Sequence, residues 1–374
     1  MTALRPIIIK EFRQVARDRR TLGIFLFMPA FMLVMFGYAL NFDVKHLPLT
    51  VLDQDRTSAS RALLEHFKHS EYFDIKDGLS NSNEVDTFAL EKEGGVALII
   101  PPGFGGRLLA GKDNPLQVII DGSNATTASA AVGYINAILL DYSKAILSKA
   151  MMRAGRPAPS FPIDVRPRVW YNPELRSAFF LVPGLIAFIM LIASVVSTAL
   201  SIVREKERGT MEQIAVSPVT PLGLILGKII PYIVISLGAA AATLLAGYVL
   251  FDVSVRGSLW LLLFVTILFL VAGLGMGLFI STIADTQQVA FQVAALATML
   301  PTFILSGFVF PIKNMPLVIQ AVTFLVPARY FLKALRSIIL KGVGIEAFWE
   351  QCLFLVAFGA IVMAVSSFRL ARRT

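Results

Sequence analysis

The sequence predicts a polytopic α-helical membrane protein of six transmembrane helices, with an α/β external (periplasmic) domain inserted between helices 1 and 2. Three observations carry that prediction. First, 56% of the 374 residues are hydrophobic and only 16% charged, below the roughly 25% charge of an ordinary soluble domain. Second, residues 21–42, 177–203, 229–251, 257–284, 286–312 and 351–368 contain no Asp, Glu, Lys or Arg. Each run is about long enough to cross ~30 Å of hydrocarbon as a helix. Third, residues 43–176 hold 15 Lys/Arg against 16 Asp/Glu, so the insert between the first two runs reads as a nearly neutral soluble domain.

In chain order, residues 1–20 come first. Ile8, Phe12, Val15 and Ala16 recur at helical spacing while Lys10, Arg13, Arg17 and Arg20 fill the remaining arc, the pattern of an amphipathic helix on the inner leaflet. The run at 21–42 ends in Gly37, Tyr38 and Ala39, a small-x-small pattern like a signal-peptide cleavage site. It is longer than the roughly 7–15 residues of a typical apolar signal core and is read as a retained span.

The net charge of +9 is orientation charge rather than a nucleic-acid patch. Arg5, Lys10, Arg13, Arg17, Arg19 and Arg20 precede the first span, and Arg369, Arg372 and Arg373 follow the last, which places both termini in the cytoplasm. The 204–228 connector then lies inside, and the 313–350 connector outside. The latter carries Lys313, Arg329, Lys333, Arg336 and Lys341, against a strict positive-inside count; Pro316 and Pro327 argue for broken or re-entrant helices there.

Within the external domain, PLTVLDQD reads as a strand and TSASRALLEHFKHS as a helix capped by Thr57 or Ser58. The order continues with YFDIKDG (strand), SNSNEVDTFALEKE (helix), GGVALIIPPGF (strand), GGRLLAG (short helix), PLQVIIDG (strand) and a long helix from about Asn124 to Met152. Such alternation predicts a compact α/β domain. A Pro-rich stretch, RPAPSFPIDVRPRVWYNPEL, returns the chain in extended form to the second span.

Signals for catalysis are thin. Cys352 is the single cysteine, which excludes internal disulfides and CxxC sites. His66 and His69 share a predicted helix with Glu65 but lack a further ligand pair, so a solvated polar face is the simpler reading. PPGFGGR lacks dinucleotide spacing and reads as a turn; no nucleophile elbow, HExxH motif or triad is present. GLILGK, Gly223 to Lys228, has one residue too few between its glycines and Ile229 where a phosphate loop needs Ser or Thr. Gly273 and Gly277, four apart inside an uncharged run, suit close helix packing. The runs leave no acid for a proton relay, which favours a permease powered by another subunit.

Directly after the second span comes a mixed-sign patch, Arg204-Glu205-Lys206-Glu207-Arg208, with Gly209 placed to break the helix and Thr210 to cap the next turn. By composition it reads equally as a solvated stop-transfer loop. At this point the residues resemble a family. REKERGTMEQIAVSPVTPLGLILGKIIP looks like the signature segment of ABC-2 type transporter permeases, the membrane subunits of ATP-binding-cassette exporters, especially their drug-export-like branch. KEFRQVARDRRTLGIFLFMPA, VLDQDRTSASRALLEHF, ALIIPPGF and PARYFLKALRSIILKG continue the resemblance in order over essentially the whole chain.

The resemblance implies a type V exporter-like architecture in the cell inner membrane: an interfacial helix at 1–20, the first span at 21–42, the external domain at 43–176 and the remaining spans in 177–374. It implies two permease chains, as a homo- or heterodimer, and a separate cytosolic ABC ATPase subunit that holds ATP and Mg, with no cofactor, metal or catalytic residue on this chain. A periplasmic adaptor or membrane-fusion protein is a further partner compatible with it. A coupling segment falls at 204–218, where Arg204, Glu205, Lys206, Glu207, Arg208, Gly209, Thr210, Glu212 and Gln213 would dock on the ATPase, and re-entrant external elements fall at 313–349.

Two polar stripes complete the candidate site. Ser194, Ser197, Thr198 and Ser201 share one face of span two, and Gln288, Gln292, Met299, Thr302 and Ser306 lie along roughly one side of span five. Each either lines a route between two permease chains or packs against neighbouring helices. The expected function is ATP-dependent export of an amphiphilic or drug-like substrate. A non-transporting sensor or anchor built on the external domain, and an ion-coupled secondary transporter, are the competing classes.

Overall fold

A computed structural model describes residues 4–39, 45–76, 79, 95–153, 170–173, 176–209 and 221–371. The expected helix SNSNEVDTFALEKE, most of the Pro-rich return, and Thr210, Glu212 and Gln213 lie outside the described residues. The chain divides into two units, residues 1–41 with 168–374, and residues 42–167. The first begins with α1 (Leu4–Arg17) and α2 (Arg19–Ala39), separated only at Asp18. Leu33 of α2 is fully buried, and a Cβ on Gly37 would stand 2.4 Å from the Phe251 ring. The stretch that looks like a cleavage site is thus packed helix.

The second unit holds β1 (Leu47–Asp53), α3 (Ser58–Lys68), β2 (Phe73–Ile75), β3 (Val96–Ile100), α4 (Phe104–Leu109), β4 (Gln117–Ile120) and α5 (Ala125–Arg153). Its sheet runs β2-β1-β3-β4, with β1 parallel to both neighbours and β3 antiparallel to β4. The central strand β1 is buried along most of its length, as a parallel strand covered on both faces should be. Leu49, Val51, Leu98 and Ile100 pack with Leu63 and Phe67 of α3 and with Ala131, Ile135 and Tyr142 of α5. Thr57 caps α3, its hydroxyl accepting from Ser60 N at 3.3 Å. PPGFGGR is the turn into α4: Gly103 adopts φ +81°, a conformation costly for any residue with a Cβ. The amides of Gly103 and Gly105 donate to the two oxygens of Asp55 at 2.8 and 2.9 Å.

The remaining helices of the first unit are α6 (Ser177–Glu207), α7 (Pro221–Phe251), α8 (Leu259–Ile283), α9 (Gln287–Leu305), α10 (Leu317–Val322), α11 (Pro327–Arg336) and α12 (Trp349–Ala371). α6 is central. Its residues from Leu181 to Leu191 are all buried, the mark of a helix surrounded by others. α8 packs on α6 and α12, α9 lies along α6, and α1 and α2 lie on α7. Closest approach is at the glycines of α8: a Cβ on Gly273 would meet Ser194 Oγ at 2.4 Å, and one on Gly277 would meet the Val195 carbonyl at 2.4 Å. The spacing of four therefore does what small residues do in membrane bundles.

Among the described residues, seven helices are long and apolar enough to cross a membrane, not six. The additional one is α5. Its uncharged part, Ala125–Leu140, is rich in Thr, Ser and Asn, and Asp141, Lys144 and Lys149 follow it, yet an 18-residue window of mean hydropathy 1.2 passes; its buried residues pack on the sheet of the second unit. Between α9 and α12, the helices Leu317–Leu325 and Pro327–Lys341 meet at 88°. The bend has a local cause. Val326 is extended (φ −99°, ψ 108°) and Pro327 opens the next helix, since a proline disfavours the helical region for the residue before it and suits a helix's first position.

Candidate coupling site

The C-terminal end of α6 is fastened on two sides. On the first, four charges form a closed ring: Lys10 Nζ lies 2.5 Å from Glu205 Oε1, Lys228 Nζ 2.5 Å from Glu205 Oε2, and both lysines reach Glu11 Oε1, at 3.2 and 3.3 Å. Each charge touches two of opposite sign. Glu11, Glu205 and Lys228 are buried, whereas the Lys10 side chain is half-exposed. A buried ion is tolerated only when partners replace its hydration. The ring supplies them, and it ties α1 to both α6 and α7. At Lys10, desolvation acts to lower the pKa, but the hydrogen bond and charge of Glu205, followed by Glu11, outweigh it and hold the ammonium above its ordinary value.

On the second side, α6 grips the turn between α8 and α9. Lys206 pairs with Asp285 and donates to the Ala284 carbonyl at 3.2 Å. Glu207 Oε1 accepts from the Gln287 backbone N at 2.7 Å while its other oxygen takes the Gln287 side-chain amide, and Arg204 Nε donates to Gln287 Oε1 at 3.3 Å. Gln287 N is one of the unpaired donors that open a helix, so Glu207 supplies α9 with both a hydrogen-bond acceptor and a favourable charge at its positive end. Gly209, at φ +69°, follows the end of α6 and donates to the Lys206 carbonyl at 3.2 Å. Arg208 is exposed. Of the segment expected to dock on another protein, then, Arg204 to Glu207 make these bonds within the chain.

The α6 stripe turns out to be continuous with the ring. Ser194, Ser197 and Thr198 are buried and their hydroxyls donate to carbonyls of their own helix, beneath the α8 glycines in the case of Ser194 and Thr198. Ser201, one turn lower, faces Tyr232 of α7. The next turn is Glu205. The α9 stripe, by contrast, divides: Gln288, Gln292 and Met299 are exposed, while Thr302 and Ser306 are buried. The buried row is Ala290, Ala294, Thr298 and Thr302, and at 3.6 residues per turn a step of four rotates about 40° around the helix. It therefore crosses the stripe obliquely.

Sequence reasoning missed three ring members. Lys228 sits in a segment that fails as a phosphate loop, Glu11 is an acid among the basic residues of α1, and Lys10 belongs to the basic arc of that helix, so none of the three announces a buried ion pair. The available signal was the stripe itself: extended by four residues from Ser201 it reaches Glu205, a carboxylate on a buried face that requires a cation. In the second unit, His69 bonds the Glu65 carbonyl at 2.7 Å and His66 meets the Tyr142 ring edge-on.

Two of the basic residues of 313–350 also have defined work. Arg336 donates to the carbonyls of Gly307 and Phe180, each at 3.1 Å, and stacks over the Phe180 ring. Arg329 covers the Phe324 ring and pairs with Thr323. These cations hold helix ends together, which accounts for their presence independently of any role in orienting the chain.

The ABC-2 family transporter protein family matches residues 19–368. Over 375 aligned residues, 99% of this chain and 97% of the relative, the chain is 35% identical to "Probable multidrug ABC transporter permease YbhS" of Escherichia coli (strain K12). It is 30% identical to "Probable multidrug ABC transporter permease YbhR" of the same organism, over 92% of each chain. It is 22% identical to "ABC transporter G family member 20" of Dictyostelium discoideum, over 95% of this chain and 48% of that one. The chain belongs to the ABC-2 family of transporter proteins and is a multi-pass membrane permease of the ABC transporter type.

Proposed function

We propose that this chain is the export permease of an inner-membrane transporter that moves amphiphilic or drug-like molecules outward, driven by ATP hydrolysis on a separate cytosolic subunit. The observation that carries the reading is the double fastening of the α6 end. A push delivered at 204–213 reaches α1 and α7 through the ring and the α8–α9 turn through Lys206 and Glu207, so four elements move with one. The glycine seam of α6 and α8 then passes the displacement upward, because backbones in such close contact shift together rather than slide.

In this reading six helices span, both termini are cytoplasmic, and the unit at 42–167, α5 included, lies outside. The 88° bend is a re-entrant external element. Two permease chains face one another, and the exposed Gln288, Gln292 and Met299 of α9 line the route, while the hydroxyl stripe of α6 serves packing and the link to Glu205. ATP and Mg reside on the ATPase subunit. Two of the three relatives, YbhS and YbhR, are named as probable multidrug permeases, which supports the substrate class. The test is transport of fluorescent amphiphiles into inside-out vesicles carrying the permease and its ATPase. Accumulation should require ATP and fall sharply in the Glu207→Gln, Arg208→Gln double variant with membrane insertion intact. Undiminished transport and ATPase capture by that variant would remove 204–213 from the coupling path.

A further inference from the structure

We infer that α1 carries a binding site for anionic phospholipid headgroups, formed by Arg13 and Arg17 at the edge of the charge ring. The helix has three sides. Glu11 and Ile7 face α7: Glu11 is 1% exposed, and Ile7 fills the space over Gly227, where a Cβ would stand 2.6 Å from it. A second side presents Ile9, Phe12 and Ala16, all exposed, with the exposed Arg5 at its N-terminal end. The third carries Lys10, Arg13 and Arg17, spaced three and four apart and therefore in one row.

That row lacks compensation on its own helix. Like charges four apart repel, the first turn of α1 has no acid, and Glu11, the acid within the helix, is turned into the ring. Lys10 is engaged by Glu205 and Glu11, but Arg13 and Arg17 are exposed. An exposed apolar side next to an uncompensated basic side matches a surface that is hydrocarbon below and phosphate above. Charge complementarity therefore selects phosphatidylglycerol-like lipid over zwitterionic lipid, each cation close to such a surface strengthening binding roughly fivefold. Because Glu11 and Lys10 sit on the same turns, a headgroup held by Arg13 and Arg17 fixes the α1 side of the ring. The inference rests on the proposed placement of α1 at the cytoplasmic membrane surface.

The experiment uses the full-length permease alone, without its ATPase, in nanodiscs. A bimane fluorophore attached through Ala16→Cys is quenched by phosphatidylglycerol or phosphatidylcholine bearing the same doxyl group on the acyl chain. Cys352 is buried and is replaced by serine to keep labelling specific. Doxyl-phosphatidylglycerol should quench at a severalfold lower mole fraction than doxyl-phosphatidylcholine. The difference should vanish in Arg13→Gln, Arg17→Gln, persist in Arg13→Lys, Arg17→Lys, and vanish for the unsubstituted row at high salt, which keeps the test valid if the glutamine variant fails to fold. Equal quenching by both lipids, or a preference that survives both the glutamine substitutions and salt, overturns the site while leaving the placement of α1 intact. Quenching by neither lipid overturns the placement itself.

Discussion

Lys228 Nζ stands 2.5 Å from Glu205 Oε2 with both side chains almost fully buried. Stripping water from each ion costs several kcal/mol, and a single pair seldom recovers it. Here Lys10 and Glu11 close the pair into a ring of alternating sign, so the arrangement holds or fails as a unit. Lys228→Met leaves two carboxylates to share Lys10 and should cost about 3–5 kcal/mol, seen as a lower unfolding temperature in detergent. Exchanging the two residues, Glu205→Lys with Lys228→Glu, should restore little, because the new lysine faces Lys10 and the new glutamate faces Glu11. Full recovery in the exchange would mean that Lys10 and Glu11 carry no weight.

The glycine seam predicts a contrast between neighbours. Gly277→Ala places a methyl 2.4 Å from the Val195 carbonyl, which cannot yield without moving α6, whereas Gly275→Ala meets the flexible Met363 side chain at 3.3 Å. Overpacking of the first kind costs about 1–3 kcal/mol. Thermal unfolding of the two variants should therefore separate them, with Gly275→Ala close to wild type.

Asp55 gives the second unit a pH dependence. The Thr57 hydroxyl first, and then the amides of Gly105 and Gly103, outweigh an opposing desolvation and hold its carboxyl below the ordinary aspartate value. A lowered folded pKa means that the stabilisation is present above the unfolded pKa of about 3.9 and is lost as pH falls through the still lower folded value. Hydrogen exchange in the full-length protein should show α4 and its entry turn protected at neutral pH and loosening in acid. Asp55→Asn should loosen them at neutral pH and flatten the dependence; unchanged protection would show that Asp55 does not hold the turn.

Arg336 should not tolerate lysine. Its guanidinium spans the carbonyls of Phe180 and Gly307 while stacking on the Phe180 ring, and an ammonium cannot reproduce the fork. Hydrogen bonds from charged groups contribute about 1.5–3 kcal/mol each. Arg336→Lys should accordingly destabilise nearly as much as Arg336→Gln, and equal stability of the lysine variant and wild type would reduce the site to simple charge.

Much of the fold was legible because bilayer physics writes it into composition: an uncharged run such as 177–203 has few alternatives to a buried helix. The strand and helix order of the second unit was legible from alternation and from caps such as Thr57. Three things were not. The uncharged stretch that leads into α5, residues 122–140, is rich in Gly, Ser, Thr and Asn, so it reads as part of a soluble helix although α5 reaches a mean hydropathy of 1.2. The split of the α9 stripe depends on how that helix crosses α6, a tertiary angle that helical periodicity does not encode. The ring joins Lys10, Glu11, Glu205 and Lys228 from three helices, and no local spacing announces such a meeting.

The most direct test of the coupling role is the amount of fluorescent amphiphile moved per ATP hydrolysed, in vesicles holding the permease with its ATPase. The variant is Glu205→Gln with Lys228→Met, which leaves the Lys10–Glu11 pair and no uncompensated charge. The account predicts that this complex assembles and hydrolyses ATP while transport per ATP falls at least tenfold, a coupling loss of about 1.4 kcal/mol or more. An unchanged ratio would contradict it.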